Sequence, residues 1–382
     1  MQWIGPVHRY LDYNATSPAV DEAIQASLET SKNCPGNPSS LHWAGRAARK
    51  VLDDARDRLA NYLHVESGSV VFTAGGTEAN NMAIHGWLAT QQPGNIVVSA
   101  IEHPSVLQPL SEWSRRQGWS VRLVKPARSG VIDADRFGLL IDDETRLVCL
   151  MLANNETGAI QPVSEVAERC RKHGVAMLVD AVQALGKMPL DLGQMDVDFV
   201  SLSAHKIGGP KGIGALVVKR GRKLEPYLQG GGQERKRRSG TENVPGAAGF
   251  AAAIGIYVFE QCQAVRDGFE ALLLETLPEA VIYAGEVERI SNTSMFSMPG
   301  LDGETLLMQL DLAGFAVASG SACSSGKRDA SHVLLAMGVS DQQARSSIRV
   351  SFGPQHSMVD AKALVEALVM IRNRLKVMAG AV

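Results

Sequence analysis

The chain of 382 residues is 45% hydrophobic and 20% charged, with 38 Lys and Arg against 40 Asp and Glu and a formal net charge of −2. This is ordinary globular composition, long enough for one large domain or two. The near balance of charge argues against a nucleic-acid partner, and the longest apolar run, GAAGFAAAIGIYVF from Gly246, is too short and too rich in glycine to span a bilayer.

The first segment, MQWIGPVHRYLDYNATSP, lacks the charged-then-apolar order of a secretory leader. SSLHWAGRAARKVLDDARDRLANYL follows, with Leu52, Ala55 and Leu59 at helical spacing. Short Val-, Ile- and Leu-rich runs then begin at Val70, Asn95, Val121, Arg146, Val175, Val197 and Ile213. Most are continuously apolar rather than alternating, which predicts strands covered on both faces. Helical stretches lie between them; PVSEVAERCRKHG opens on proline and closes on glycine. Strands alternating with helices predict an α/β fold with a mainly parallel sheet. Beyond about Gly255 a helix runs to about Leu277. Strand-like VIYAG and TSMFSM, helical ETLLMQLDLAG, strand-like SIRVSF and a last helix with Leu364, Leu368, Ile371 and Leu375 on one stripe complete a smaller α+β unit. The expected division is a large domain over residues 16–254 and a small one built from 1–15 and 255–382.

Five cysteines, Cys34, Cys149, Cys170, Cys262 and Cys323, are odd in number, scattered and never paired as CxxC. Neither a disulfide framework nor a metal site is expected, and a reducing cytoplasm fits. Cys149 and Cys170 read as apolar filler.

Four polar clusters fall just after predicted strands: TAGGTEANN, EHPSV, DAVQALG and SAHKIGG. In an open α/β sheet, ligands bind beyond the carboxyl ends of the strands. That rule puts Thr77, His103, Asp180, Gln183, Ser203, His205 and Lys206 on one rim. Each has a plain reading. Gly75, Gly76 and Thr77 suit a simple helix cap as well as a phosphate cradle, and no GxxxxGK[ST] loop is present. Asp180 suits a turn, the histidines suit structural roles, and Lys206 suits a loop charge. An amine at a strand end with an acid 26 positions earlier (206 − 180) also fits a Schiff-base lysine and its pyridinium partner.

YLDYNATS, GNPSSLH, GGTEANN, EHPSV, NNETGAIQP, DAVQALGK, SLSAHKIGGPKGIGAL, RSGTEN and ASGSACSSG, in this order from about Tyr10 to Gly353, resemble a cysteine desulfurase. The likeness is to the nitrogen-fixation and iron–sulfur-cluster branch of the class V aminotransferase-like, fold type I pyridoxal-phosphate enzymes. It implies a large domain with a mainly parallel seven-stranded sheet, the smaller α+β domain, and pyridoxal 5′-phosphate as cofactor. By resemblance, Lys206 carries the cofactor and Asp180 pairs with its ring nitrogen. Gln183 donates to its phenolic oxygen, and His103 stacks on the ring and moves protons. Gly76, Thr77, Ser203 and His205 surround the phosphate. Thr241 reaches the phosphate of a second subunit, which implies a homodimer. Arg349 clamps the carboxylate of L-cysteine, with Asn155 beside it.

Cys323 lies among small residues, where a packing cysteine is out of place and a travelling thiol is at home. The resemblance makes it the nucleophile that keeps sulfur as a persulfide while alanine leaves, with His103 as its candidate base and Lys327 and Arg328 as a nearby field. Sulfur then passes to an acceptor protein such as an iron–sulfur scaffold, or to tRNA thiolation. Selenocysteine lyase and class V aminotransferase activity are the rival enzyme readings, and a cofactor-free sulfur carrier is the non-enzymatic one. Tyr13 replaces the family's usual asparagine, and QERKRR is unusually basic.

Overall fold

The computed structural model describes residues 8–219, 221–319 and 330–378. All seven apolar runs become strands of one sheet: β1 (Val70–Thr73), β2 (Asn95–Ser99), β3 (Ser120–Val124), β4 (Thr145–Cys149), β5 (Ala176–Asp180), β6 (Phe199–Ser203) and β7 (Gly214–Val218). Their order is β1-β7-β6-β5-β4-β2-β3. The five strands from β6 to β3 run parallel, and β7 is antiparallel to both of its neighbours. Five of the seven are buried at every residue, as continuous apolar runs demand; β3, at one edge, is largely exposed.

Helix α1 (Trp43–Tyr62) turns Leu52, Ala55 and Leu59 onto the core. It starts later than the sequence pattern suggests, because His42 caps it by accepting from Gly45 N, leaving Ser39 to Leu41 outside. Helices α2 (Gly76–Leu88) and α3 (Pro104–Trp113) leave the carboxyl ends of β1 and β2. Each therefore presents its amino terminus, the positive end of its dipole, to the same rim.

The carboxyl-terminal part forms a second sheet. β8 (Val281–Tyr283), β9 (Thr293–Ser297), β10 (Ala318–Ser319) and β11 (Ser347–Ser351) lie in the order β10-β11-β9-β8, all antiparallel. Helix α4 (Cys262–Thr276) and helix α5 (Met358–Met378) pack with this sheet around Phe269, Phe296, Phe352, Leu364 and Leu368. Leu11 and Tyr13 belong to the same cluster, so the first described segment returns to the end of the chain. Tyr13 is fully buried among Tyr257, Phe259 and His356. Its ring occupies the space a side chain at Gly353 would need, so the tyrosine and that glycine fit as a pair.

The basic run does more than meet solvent. Glu234 turns inward and binds buried Arg56 through two 2.8 Å contacts, while accepting from Phe72 N at 2.9 Å. Arg238 pairs with Glu78 at 2.8 Å. This fastens the segment onto β1 and the start of α2. No described helix is long and apolar enough to cross a membrane.

Candidate active site

A cavity of about 300 Å³ opens at the carboxyl ends of β5 and β6. Gly76, Thr77, His103, Asn155, Asp180, Gln183, Ser203, His205, Lys206 and Arg349 all line it, so ten of the sequence candidates meet in one place. Thr241 does not; it is exposed, beside Gly212 and Arg238 in a neighbouring hollow. Cys323, with Lys327 and Arg328, lies outside the described residues.

Lys206 follows β6 in a single turn of 3-10 helix, and its Nζ donates to the carbonyls of Asn14 at 2.5 Å and Ala15 at 2.8 Å. Asp180 ends β5. Its Oδ1 accepts from Val182 N at 3.0 Å and its Oδ2 from Asn80 Nδ2 at 2.8 Å. The other Asn80 N–H goes to Ser105 Oγ at 2.9 Å, and Ser105 Oγ lies 2.7 Å from His103 Nδ1. Asn80 thus orients the acid directly and the histidine at one remove.

His103 caps α3, with Nδ1 also accepting from Ser105 N at 3.1 Å. Burial lowers its pKa, opposed by Asp180 and reinforced by Lys206 and His332. At neutral pH the ring is uncharged and carries its proton on Nε2, because Nδ1 is the acceptor. Serving as a base would require Nδ1 to release the Ser105 amide. His205 is pushed down to about 4, mainly by burial and then by Lys206, Lys211 and Lys187. Glu102, beside His103, is fully buried and raised to about 8 by loss of water, although Ser99 Oγ and Met151 N donate to it.

Arg349 enters from β11. It donates to Asn155 O at 2.9 Å and Asp12 Oδ1 at 2.6 Å, and its buried Nε has no partner among the described residues. A guanidinium so placed keeps donor capacity for a carboxylate.

The family model for class-V aminotransferases matches residues 9–364. A Dictyoglomus turgidum protein named cysteine desulfurase IscS is 35% identical over 96% of this chain and 95% of its own. A solved NifS-like protein superposes with a TM-score of 0.89 at 32% identity, over 97% of this chain and all of that one. A structure described as SspA in complex with cysteine matches with a TM-score of 0.82 at 30% identity, over 91% of this chain and all of that one. The chain belongs to the cysteine desulfurases of the class-V aminotransferase family.

Desulfurases of this family work with pyridoxal 5′-phosphate, and the residues present fit it. Ser203 Oγ is buried, finds no partner among the described residues, and lies 4.0 Å from where a side chain on Gly75 would begin. An unsatisfied hydroxyl beside a helix amino terminus is what a phosphate oxygen needs. A side chain on Gly76 would come within 2.5 Å of Val182 Cγ2, so glycine keeps that approach open. Lys206, Asp180 and Gln183 stand on the same cavity, which suits a tethered ring.

Asn14, Asn80, Ser105, Glu102 and Lys187 were not among the sequence candidates, although all five lie inside the desulfurase motifs. The Gln183 to Lys187 spacing of four was a usable signal, because it sets both side chains on one face of a helical turn.

Proposed function

We propose that this chain is a pyridoxal 5′-phosphate-dependent cysteine desulfurase that converts L-cysteine to L-alanine and keeps the sulfur as a persulfide on Cys323. What carries the reading is the convergence of Lys206 Nζ, the Asp180 carboxylate and the Arg349 guanidinium on one cavity, in a chain whose relatives carry that name.

Bound there, the cofactor supplies an electron sink for negative charge at the substrate Cα. Asp180, held by Asn80 and Val182, is the partner for its ring nitrogen. Gly76, Thr77, Ser203 and His205 hold the phosphate, and neutral His205 offers a donor without adding charge. Arg349 and Asn155 orient the substrate carboxylate. Lys206 Nζ takes the Cα proton, and His103 offers its Nε2–H as a donor in the cavity. The Cys323 thiolate attacks the substrate sulfur: an S–S bond forms, the C–S bond breaks with its electrons left on carbon, that carbon takes a proton, and Lys206 Nζ returns the proton it took to Cα, giving alanine.

The working unit is proposed to be a homodimer in which Thr241 serves the phosphate of the second subunit; its exposure outside the cavity supports this. We propose a reducing, cytoplasmic setting, because Cys34, Cys149, Cys170 and Cys262 are all free thiols. The persulfide then goes to an acceptor protein, with an iron–sulfur scaffold or a tRNA-thiolation partner as the expected class.

The test is incubation of the cofactor-loaded protein with sulfur-labelled L-cysteine. Alanine release with label on Cys323 supports the reading. Label on Cys34 or Cys262 instead, or no alanine, overturns it. L-selenocysteine as the sole productive substrate would favour the lyase.

A further inference from the structure

Lys187 is only 2% exposed, yet it ends in an amine. Its Nζ donates to Asn14 Oδ1 at 2.6 Å and to Gln183 Oε1 at 2.7 Å, and lies 5.4 Å from the centre of the Phe259 ring. Both acceptors are neutral amides. Burial, then Lys206 and Arg349, push its pKa well below the usual lysine value, against Cys262 and Asp12, which favour the charged form. An apolar side chain of the same length would fill the space beside Phe259 without the cost of desolvating an amine. Packing alone does not explain this residue.

Its two acceptors explain it better. The Asn14 carbonyl receives both Lys206 Nζ at 2.5 Å and Gln183 Nε2 at 2.9 Å. The Asn14 amide donates to Thr293 Oγ1 at 2.8 Å and to Asn155 O at 3.2 Å, the same carbonyl that Arg349 holds. Lys187 supplies donors to both amide oxygens, joined at Asn14 Oδ1 by Asn292 Nδ2 at 3.2 Å, and so helps set which way each amide faces. Gln183 must then turn its N–H edge toward Asn14 O, with its second N–H left over on the side that lines the cavity.

We propose that Lys187 is a positioning residue: through Asn14 and Gln183 it holds the Asn14 carbonyl against Lys206 Nζ and turns the Gln183 N–H edge to the cofactor. The inference rests on reading Lys206 as the cofactor lysine. It makes Lys187 the link between the cofactor side of the cavity and the Asn155–Arg349 side, with Asn14 as the shared joint.

The test uses the cofactor-loaded Lys187→Met protein without substrate. Its readouts are the pH midpoint of the visible cofactor band, the cofactor dissociation constant, and urea unfolding of the cofactor-free protein. Removing an orienting donor should raise the midpoint by on the order of one pH unit and weaken cofactor binding about tenfold. Stability of the cofactor-free protein should change little, because relief of a buried amine is offset by the donor lost at Gln183 Oε1. In a Gln183→Ala background the same change should have a smaller effect, since one of its two routes is missing. An unchanged midpoint and affinity overturn the proposal, as does a full-sized shift in the Gln183→Ala background. Should Lys187→Met not fold, Lys187→Gln, which keeps one amide donor there, is measured against wild type by the same criteria. Wild-type protein with no visible band would instead sink the reading of Lys206, and wild-type protein that titrates without releasing alanine would sink the desulfurase reading alone.

Discussion

Asn80→Ala separates catalysis from stability. Asn80 is 1% exposed and spends its two N–H bonds on Asp180 Oδ2, at 2.8 Å, and on Ser105 Oγ, at 2.9 Å. A hydrogen bond to a charged group contributes about 1.5–3 kcal/mol, and at 1.36 kcal/mol per decade its loss lowers kcat/KM for cysteine by about 10- to 150-fold. Releasing Ser105 also loosens the Nδ1 contact that fixes the His103 tautomer. Stability should respond far less. Asn80 Oδ1 is buried with no partner among the described residues, so deleting it relieves a cost of about 1–3 kcal/mol and offsets the bonds lost. The assay pairs alanine release over a range of cysteine concentrations with the thermal midpoint of the same preparation. The expected result is a large fall in kcat/KM with a midpoint shifted by less than about 3 °C. An unchanged rate, or a rate that falls only as the protein melts, would refute the reasoning.

Arg349→Lys replaces a planar fork, already fixed by Asp12 and Asn155 O, with a point charge; KM for cysteine should rise at least tenfold with a smaller change in kcat, measured by steady-state kinetics. Cys323→Ser should keep the visible cofactor band yet accumulate no protein-bound persulfide by mass spectrometry. Glu102→Gln tests a pH effect. The folded-state value of about 8 lies above the ordinary 4.5, so the native state holds the extra proton between these limits and stability falls as pH rises through that window. Glutamine mimics the protonated form, so the variant should match wild type near pH 5 and be more stable by on the order of 3–5 kcal/mol above pH 8, read by urea unfolding. His205 has the opposite sign: its value of about 4 lies below the ordinary 6.5, so the stability it confers is complete above pH 6.5 and is lost as pH falls toward 4.

Most β-strands of the large sheet announced themselves as apolar runs because burial on both faces leaves no room for alternation; β3, at the exposed edge, is the exception. The rim candidates were legible for a related reason. A residue placed just after a strand of a parallel sheet lies at its carboxyl end whatever the rest of the chain does, so Thr77, His103, Asp180 and Lys206 could be grouped before any contact was known. The departure at Tyr13 was legible too, although only the packed ring reveals its pairing with Gly353.

Tertiary structure alone decided what those residues touch. Arg349 comes from the second sheet, Asn14 from the first described segment and Asn80 from a helix, and nothing in their spacing joins them. Glu234 sits in an unusually basic run, yet it is buried against Arg56. Lys187 looks like a surface lysine at the end of DAVQALGK, but folding removes it from water and leaves two amide oxygens as its acceptors. Periodicity encodes which side of an element is dry. Hydrogen-bond partners hundreds of positions apart depend on how the elements dock, and the direction of a proton or an amide is settled only when every neighbour is in place.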